Sequence, residues 1–487
     1  MTDLFTPIER NAAFDPDHIA LRFGEDTITY RALVEKVHGT VELLRAAGVA
    51  PGERIALLSL NHPGFLVLLY AAARLGAILV PLNWRLAHDE LAYAIAHAEP
   101  LLLFHDEAFA DGAAQLMPQA RLRAIAAVMS PDQAEPVHTS TDPSAPCLMV
   151  YTSGTTGRPK GALLSSRALL DNAVNAQHMH QMRADDHALT FLPMFHVGGL
   201  NIQPTPLLMA GGTVSVLDRF DPAETLTAVS QLRPTLMVVV PAVMSALMAE
   251  KGFATADFSS LRAVATGSTI IPETLLSAFK DRGIPVICVY GATETCPIAA
   301  YERVGVDRHV GGTGRVALLN RVKISGPSGE TVPVGTDGEI AVADVIFSGY
   351  FRDEEATNAA LRDGYFHTGD VGRLTKDGAL IVHDRLKNLI ISGGENIYPA
   401  EVERVLSQHP AVLECAVVGK PDERWQEVPV AFVVRCEAVA PEALVAHMSH
   451  LLARYKVPRD VRFIDALPRT ALGKVRHDVL RQRAHAA

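Results

Sequence analysis

Residues 151–162 read YTSGTTGRPKGA and follow directly on the apolar run CLMV. Four Ser/Thr hydroxyls, three glycines and two cations fall within those twelve residues. Glycines let backbone N–H groups approach an oxyanion closely, hydroxyls donate to it, and a lysine adds a compact positive charge. The stretch reads as a phosphate-holding loop, with Thr152, Ser153, Gly154, Thr155, Thr156 and Lys160 as its candidate contacts. It is not a Walker A element, which needs G-x-x-x-x-G-K-[ST] at the opening of a helix. Here Gly154 and Gly157 are three apart, Lys160 is three further on, and Gly161 stands where Ser or Thr would follow.

Outward from the loop, strand and helix patterns alternate. YRALVEKVHGTVELLRAAG is followed by RIALLSL, then PGFLVLLYAAARLG and AILVPL. Later, TLMVVVP leads to AVMSALMAEKG, and LRAVATGS leads to PETLLSAFKDRG and the short strand VICVY. Strands interleaved with helices at this spacing predict largely parallel sheets covered by helices. The texture changes near residue 310, where VKISGPSGETVPVGTDGEIAVAD shows short strands punctuated by Gly, Pro and Asp. That pattern predicts antiparallel hairpins or a small barrel. After residue 384 come helix, strand, strand, helix and strand patterns, a compact α+β unit of ordinary domain size. The boundary falls in HDRLKN, giving domains of 1–384 and 385–487.

The 487 residues have room for about three domains at ~150 residues each. A net charge of −10 argues against nucleic acid as a partner, because backbone binding needs clustered Lys and Arg. The five cysteines are scattered with no CxxC pair, as expected of reduced thiols. MTDLFTPIERNAAFDPD carries acids where a signal peptide would carry a basic stretch and an apolar core. GFLVLLYAAARLGAILVPL is interrupted by Arg74 and suits a buried helix and strand better than a membrane span. The expectation is a soluble cytoplasmic protein without a transmembrane segment.

Six segments occur in order: YTSGTTGRPKGA, PMFHVGG (193–199), YGATE (290–294), YFHTGD (365–370), ISGGENIYPAEVE (391–403) and PRTALGK (468–474). In this order they resemble the adenylate-forming, or AMP-binding, superfamily: acyl- and aryl-CoA synthetases, nonribosomal-peptide adenylation domains and firefly luciferase. The resemblance covers nearly the whole chain. It implies an α/β fold: a large N-terminal domain of two α/β subdomains plus a small β-barrel, and a smaller mobile α+β C-terminal domain.

The chemistry it implies is a two-step acid–CoA ligase reaction. A carboxylate attacks the α-phosphate of ATP, giving acyl-AMP and pyrophosphate, and the thiol of CoA then displaces AMP. An anion approaches a triphosphate in the first step, so the site must cancel charge. By resemblance Glu294 is the Mg²⁺ ligand, Thr293 donates to the α-phosphate, Tyr290 packs on adenine, and Gly267, Gly291 and Ala292 lie against the nucleotide. Asp370 is implied as the ribose clamp with Arg385 as a second nucleotide contact. Lys474 is implied to bridge the incoming carboxylate and the α-phosphate. Lys387 falls at the hinge on which the family swings its C-terminal domain between the two steps. Asn388 departs from the Asp that many relatives carry beside it.

Gly393 and Gly394 are implied to let the pantetheine arm pass, with Trp425 and Lys456 as candidates for the CoA nucleotide. His196 matches the position that gates the acyl pocket, lined by Gly199, Gly291, Ala292 and Ile298. No Arg or Lys stands in these stretches to pair with a second carboxylate, which weighs against a diacid. Medium-chain fatty, aryl and alicyclic acids stay open. The chain runs to RQRAHAA without a carrier module, which favours free CoA. A separate carrier protein as acceptor, or a non-catalytic acyl or nucleotide sensor, are the alternatives, and the chain is expected to be a monomer or homodimer.

Overall fold

The run GFLVLLYAAARL forms a helix, Gly64–Leu75, in which all twelve residues are buried. At 1.5 Å per residue it spans about 18 Å, short of the ~20 residues a bilayer needs. No helix among the described residues is long and apolar enough to cross a membrane. Arg74, which looked like an interruption, is 3 % exposed and sits inside an ion cluster. Its Nε lies 2.7 Å from Asp3 Oδ2, and its Nη1 donates to Glu9 Oε1 at 3.0 Å and to the Val137 carbonyl at 2.9 Å. The apolar helix thus keeps one cation because the N-terminal segment brings two carboxylates to it.

The structure is a computed structural model. It describes residues 3–131, 135–137, 141–152, 158–267, 271, 273–306, 313–392, 395–469 and 475–486, the side chains of 273 and 274 aside. Among these, one seven-stranded sheet is built on Arg54–Leu58, with Ile78–Pro81 and Leu102–His105 parallel on its two sides. Pro146–Thr152 joins it in parallel, and Lys160–Ser165 then turns back antiparallel. A nine-stranded sheet has a parallel middle formed by Val286–Tyr290, Ala263–Thr266, Leu236–Val239, His187–Thr190, Thr213–Val216 and Ile19–Phe23. Short antiparallel strands close both of its edges. Helices leave these strands through ordinary caps. Ser165 Oγ, for example, accepts from Ala168 N at 3.1 Å as the chain passes directly from Lys160–Ser165 into the helix Ser166–His180.

The stretch with hairpin texture gives Arg321–Ser325 and Gly338–Ala343, neighbours in a five-stranded sheet. Near the C-terminus, Val412–Asp422 and Gln426–Arg435 make a long hairpin, with Asp460–Phe463 parallel beside it. Helix Pro399–Leu406 packs over that hairpin through Val402, Val405 and Leu406. By compactness the chain divides into two units. One is Met1–Ser268, Phe279–Val322 and Val342–His367; the other is Thr269–Ala278, Lys323–Ala341 and Thr368–Ala487. The second unit thus gathers segments ahead of the 384/385 boundary read from the sequence.

Candidate active site

In the first unit, the stems of the phosphate-type loop pair antiparallel, with Thr152 opposite Lys160. A strand–loop–strand setting differs from the strand–loop–helix of a Walker A site, as the spacing of Lys160 required. Ser153, Gly154, Thr155 and Thr156 lie outside the described residues. Both stems of the loop are tied to the helix His88–Ala98. Tyr93 Oη donates to the Pro159 carbonyl at 3.2 Å, and Tyr151 Oη donates to the Ala94 carbonyl at 3.1 Å. His97 Nδ1 lies 2.8 Å from Tyr151 Oη, and burial holds the His97 pKa below the usual imidazole range. A cavity of about 200 Å³ opens beside the stem, lined by Tyr93, His97, Arg158, Lys160, Phe351 and Asp353.

Lys160 and Glu294, 134 positions apart by number, are brought to opposite ends of one side chain that sequence reasoning missed. The Lys160 ammonium lies 5.3 Å from the centroid of the Tyr350 ring and 3.9 Å from Asp353 Oδ2. Tyr350 Oη donates to Glu294 Oε1 at 2.8 Å. Strand pairing places Tyr350 there, because it lies opposite Ala162 on the strand that starts at Lys160. The neighbouring Phe347 N donates to the Glu294 carbonyl at 2.8 Å. Glu294 is 8 % exposed, so its carboxylate is held in a confined setting. The available signal was the aromatic in FSGYFRD, outside all six segments.

Glu294 belongs to a 3₁₀ turn, Thr293–Thr295, that follows the strand Val286–Tyr290. Thr295 Oγ1 caps the turn by accepting from Ala292 N at 2.8 Å. Tyr290, Gly291, Ala292 and Thr293 are half-buried, whereas Ile298 is wholly buried. A Cβ on Gly291 would stand 1.8 Å from the Pro297 carbonyl oxygen, and one on Gly267 would stand 2.2 Å from that of Val289. A Cβ on Gly199 would meet the Pro193 carbonyl oxygen at 2.3 Å. Each of these glycines is required by backbone packing, whatever it also lines. His196 precedes the short helix Val197–Asn201 and is half-buried, its ring centroid 5.0 Å from that of Phe195.

In the second unit, Asp370 and Arg385 face each other across a hairpin, with Arg385 Nε 2.7 Å from Asp370 Oδ1. Asp370 is 6 % exposed. Lys387 follows in a 3₁₀ turn, and its carbonyl accepts from Arg481 Nη2 at 2.7 Å. Asp384 accepts from Ala400 N at 2.8 Å and from Asn388 Nδ2 at 3.1 Å, and burial pushes its pKa up. An aspartate at 388 would set a second carboxylate against Asp384, so the amide is the better neighbour here. Lys456 is engaged by both oxygens of Glu401, at 2.8 and 2.7 Å. Trp425 is 38 % exposed, with the Arg424 guanidinium 4.9 Å from its ring centroid. Gly393, Gly394 and Lys474 lie outside the described residues.

Known proteins resemble this chain along nearly its whole length. A model described as AMP-binding enzyme matches residues 8–351, and one described as AMP-binding enzyme C-terminal domain matches residues 401–474. The chain is 45% identical to an indoleacetate–CoA ligase of Aromatoleum aromaticum, over 98% of this chain and 97% of that one. It is 41% identical to a feruloyl-CoA synthase of an Amycolatopsis species, over 97% of each chain. The solved o-succinylbenzoate CoA synthetase of Bacillus subtilis, in complex with its acyl-adenylate intermediate, matches with a TM-score of 0.88 at 30% identity, covering 98% of this chain and 97% of that one. This chain belongs to the AMP-binding enzyme family and, within it, to the acid–CoA ligases that join an acid to CoA with ATP through an acyl-AMP.

Proposed function

We propose that the acid is an aromatic carboxylic acid, activated on the first unit and passed to free CoA in the cytoplasm. Support for the aromatic class comes from the relatives, whose names specify indoleacetate and ferulate, both an aromatic ring with a short carboxylate arm. The single observation that carries the site is the joining of Lys160 to Glu294 through Tyr350. A loop cation and a confined carboxylate held on one tyrosine supply the two charges that a triphosphate with its cation needs.

Mg²⁺ keeps several waters and is commonly bound by one or two carboxylates plus substrate phosphates. No cluster of three or more His, Cys, Asp or Glu able to hold a metal occurs among the described residues. The lone, confined Glu294 fits that ion. When bound, Mg²⁺ would neutralise charge on the phosphate oxygens. Glu294 would hold it, and the Lys160 ammonium would offset charge on the departing pyrophosphate. Thr152, Ser153, Gly154, Thr155 and Thr156 would donate to phosphate oxygens, and Thr293 to the α-phosphate. Tyr290, Gly267, Gly291 and Ala292 would border the nucleotide, and Asp370 would accept from the ribose hydroxyls with Arg385 beside it. His196, Gly199 and Ile298 would border the acyl group. Gly393 and Gly394 would pass the pantetheine arm, with Trp425 and Lys456 toward the CoA nucleotide. Release of Lys456 from Glu401 would be needed for that last role.

The test is pyrophosphate release from MgATP across fatty, alicyclic, arylacetic, cinnamic-type and dicarboxylic acids, each with and without CoA. Aromatic acids are expected to lead by at least tenfold in CoA-dependent kcat/KM, about 1.4 kcal/mol of discrimination. A fatty or alicyclic acid in front would overturn the aromatic reading. Acid-dependent pyrophosphate that CoA does not accelerate would point to a carrier protein. Lys474→Ala is expected to slow acyl-AMP formation by roughly 10²–10³-fold, the scale of losing one transition-state charge contact. Thioester formation from supplied acyl-AMP should stay within a few-fold. Equal losses in both half-reactions would contradict the role given to Lys474.

A further inference from the structure

The geometry points to Tyr350 as a positioning residue for the first half-reaction: we infer that it sets the Glu294 carboxylate and backs the Lys160 ammonium, so that the two charges meet one triphosphate together. The inference rests on the reading of Glu294 and Lys160 given above and assigns the group that aligns them.

Three observations carry it. The Tyr350 hydroxyl donates to Glu294 Oε1 at 2.8 Å, an ordinary hydrogen-bond length, to a group that carries charge when ionised. The face of the same ring takes the Lys160 ammonium at 5.3 Å, within the range of a cation–π contact. The backbone of Tyr350 is itself fixed. It pairs opposite Ala162, its N–H donates to Thr357 Oγ1 at 2.8 Å, and its carbonyl accepts from Asp353 N at 3.3 Å. Asp353 caps the helix Glu354–Ala360 through Ala356 N at 2.9 Å and approaches Lys160 from the other side. Tyr350 thus stands on a braced turn, with its polar end on the carboxylate and its π face toward the ammonium. A carboxylate that must meet a cation gains from a fixed orientation, and losing such an outer partner typically costs 10–100-fold in metal affinity or activity.

Tyr350→Phe keeps the ring and removes only the hydroxyl. It is expected to lower kcat/KM for MgATP in acyl-AMP formation by about tenfold. The KM for the acid and the rate of thioester formation from supplied acyl-AMP should stay within twofold. Binding of Mn²⁺–ATP, followed by loss of the free Mn²⁺ electron-paramagnetic-resonance signal, should weaken by a similar factor. The deciding measurement is a double-mutant cycle with Glu294→Ala, which removes the oxygen that accepts from the Tyr350 hydroxyl. If Tyr350 acts through Glu294, adding Tyr350→Phe to Glu294→Ala costs less than twofold further. A full tenfold loss in that background would overturn the assignment, because the hydroxyl would then be acting elsewhere. Glu294→Gln as active as the wild-type enzyme would remove the role of Glu294, and the role of Tyr350 with it. Tyr350→Phe equal to wild type in both Mn²⁺–ATP binding and adenylation would overturn the inference while leaving Glu294 in place.

Discussion

Glu294→Gln is expected to slow acyl-AMP formation by on the order of 10²–10³-fold while leaving the fold intact. The amide keeps the shape of the side chain and an oxygen for the Tyr350 hydroxyl, so the loss isolates the charge. Glu294 is buried and its carbonyl is already held by Phe347 N, so the turn does not depend on the ionised side chain. Rapid-quench detection of acyl-AMP in a single turnover measures the effect directly. The half-saturating Mg²⁺ concentration should rise in the same variant, because a neutral amide is a poorer ligand for a hard cation. A loss under fivefold, with unchanged Mg²⁺ dependence, would place the cation elsewhere.

The second large effect is on stability. Arg74→Met should destabilise the first unit by about 3–5 kcal/mol, the usual cost of stripping one partner from a buried ion pair. Asp3 is 1 % exposed and would lose its cation outright. Glu9 would lose Arg74 but keep His38, whose Nε2 lies 3.3 Å from Glu9 Oε1. A lowered thermal midpoint and faster hydrogen exchange over residues 3–14 would record the loss. The triple change Asp3→Asn, Glu9→Gln, Arg74→Met should recover much of it, since no buried charge is then left unpaired. A single variant melting within 1 °C of wild type would contradict the account.

The same cluster sets a pH response. Partial burial raises the Glu9 pKa, but hydrogen bonds from His38 and Arg74 outweigh it and bring it down to about 2 from 4.5. A depressed carboxylate contributes stability above its unfolded value and loses it as pH falls through the folded value. Glu9 should thus support the fold fully above about pH 5 and progressively less toward pH 2. Glu9→Gln should flatten that part of the acid-unfolding curve; an unchanged curve would refute it.

Much of this was legible in the residues. Runs such as TLMVVVP and AILVPL became parallel strands, since a sheet covered on both faces accepts short continuous apolar runs rich in β-branched residues. The loop lysine stood out as a candidate from the glycines and hydroxyls around it, whereas YGATE stood out only through resemblance, by its place among the six ordered segments. The Tyr350–Glu294 bond was not legible, since the partners lie 56 residues apart and meet only through the sheet order. Asp3 and Glu9 gave no sign that they would surround Arg74, because periodicity reports which face is buried and not what charge waits there. The Lys456–Glu401 pair was hidden for a similar reason: an i,i+4 rule cannot see across 55 positions.

The hairpin that carries the loop also constrains which insertions and deletions the protein can survive. Side chains along a strand alternate in direction with a period of two. Losing one residue inside Lys160–Ser165 would slip its register by one and exchange the faces on which its side chains lie. Ala162 would also shift away from Tyr350, and with it the link to Glu294. Added length between the stems costs the fold little, because loop-closure entropy grows only slowly with residue number, but it would upset the spacing proposed for phosphate contact. Length variation among functional descendants of this chain should therefore be rare in the stems of the hairpin.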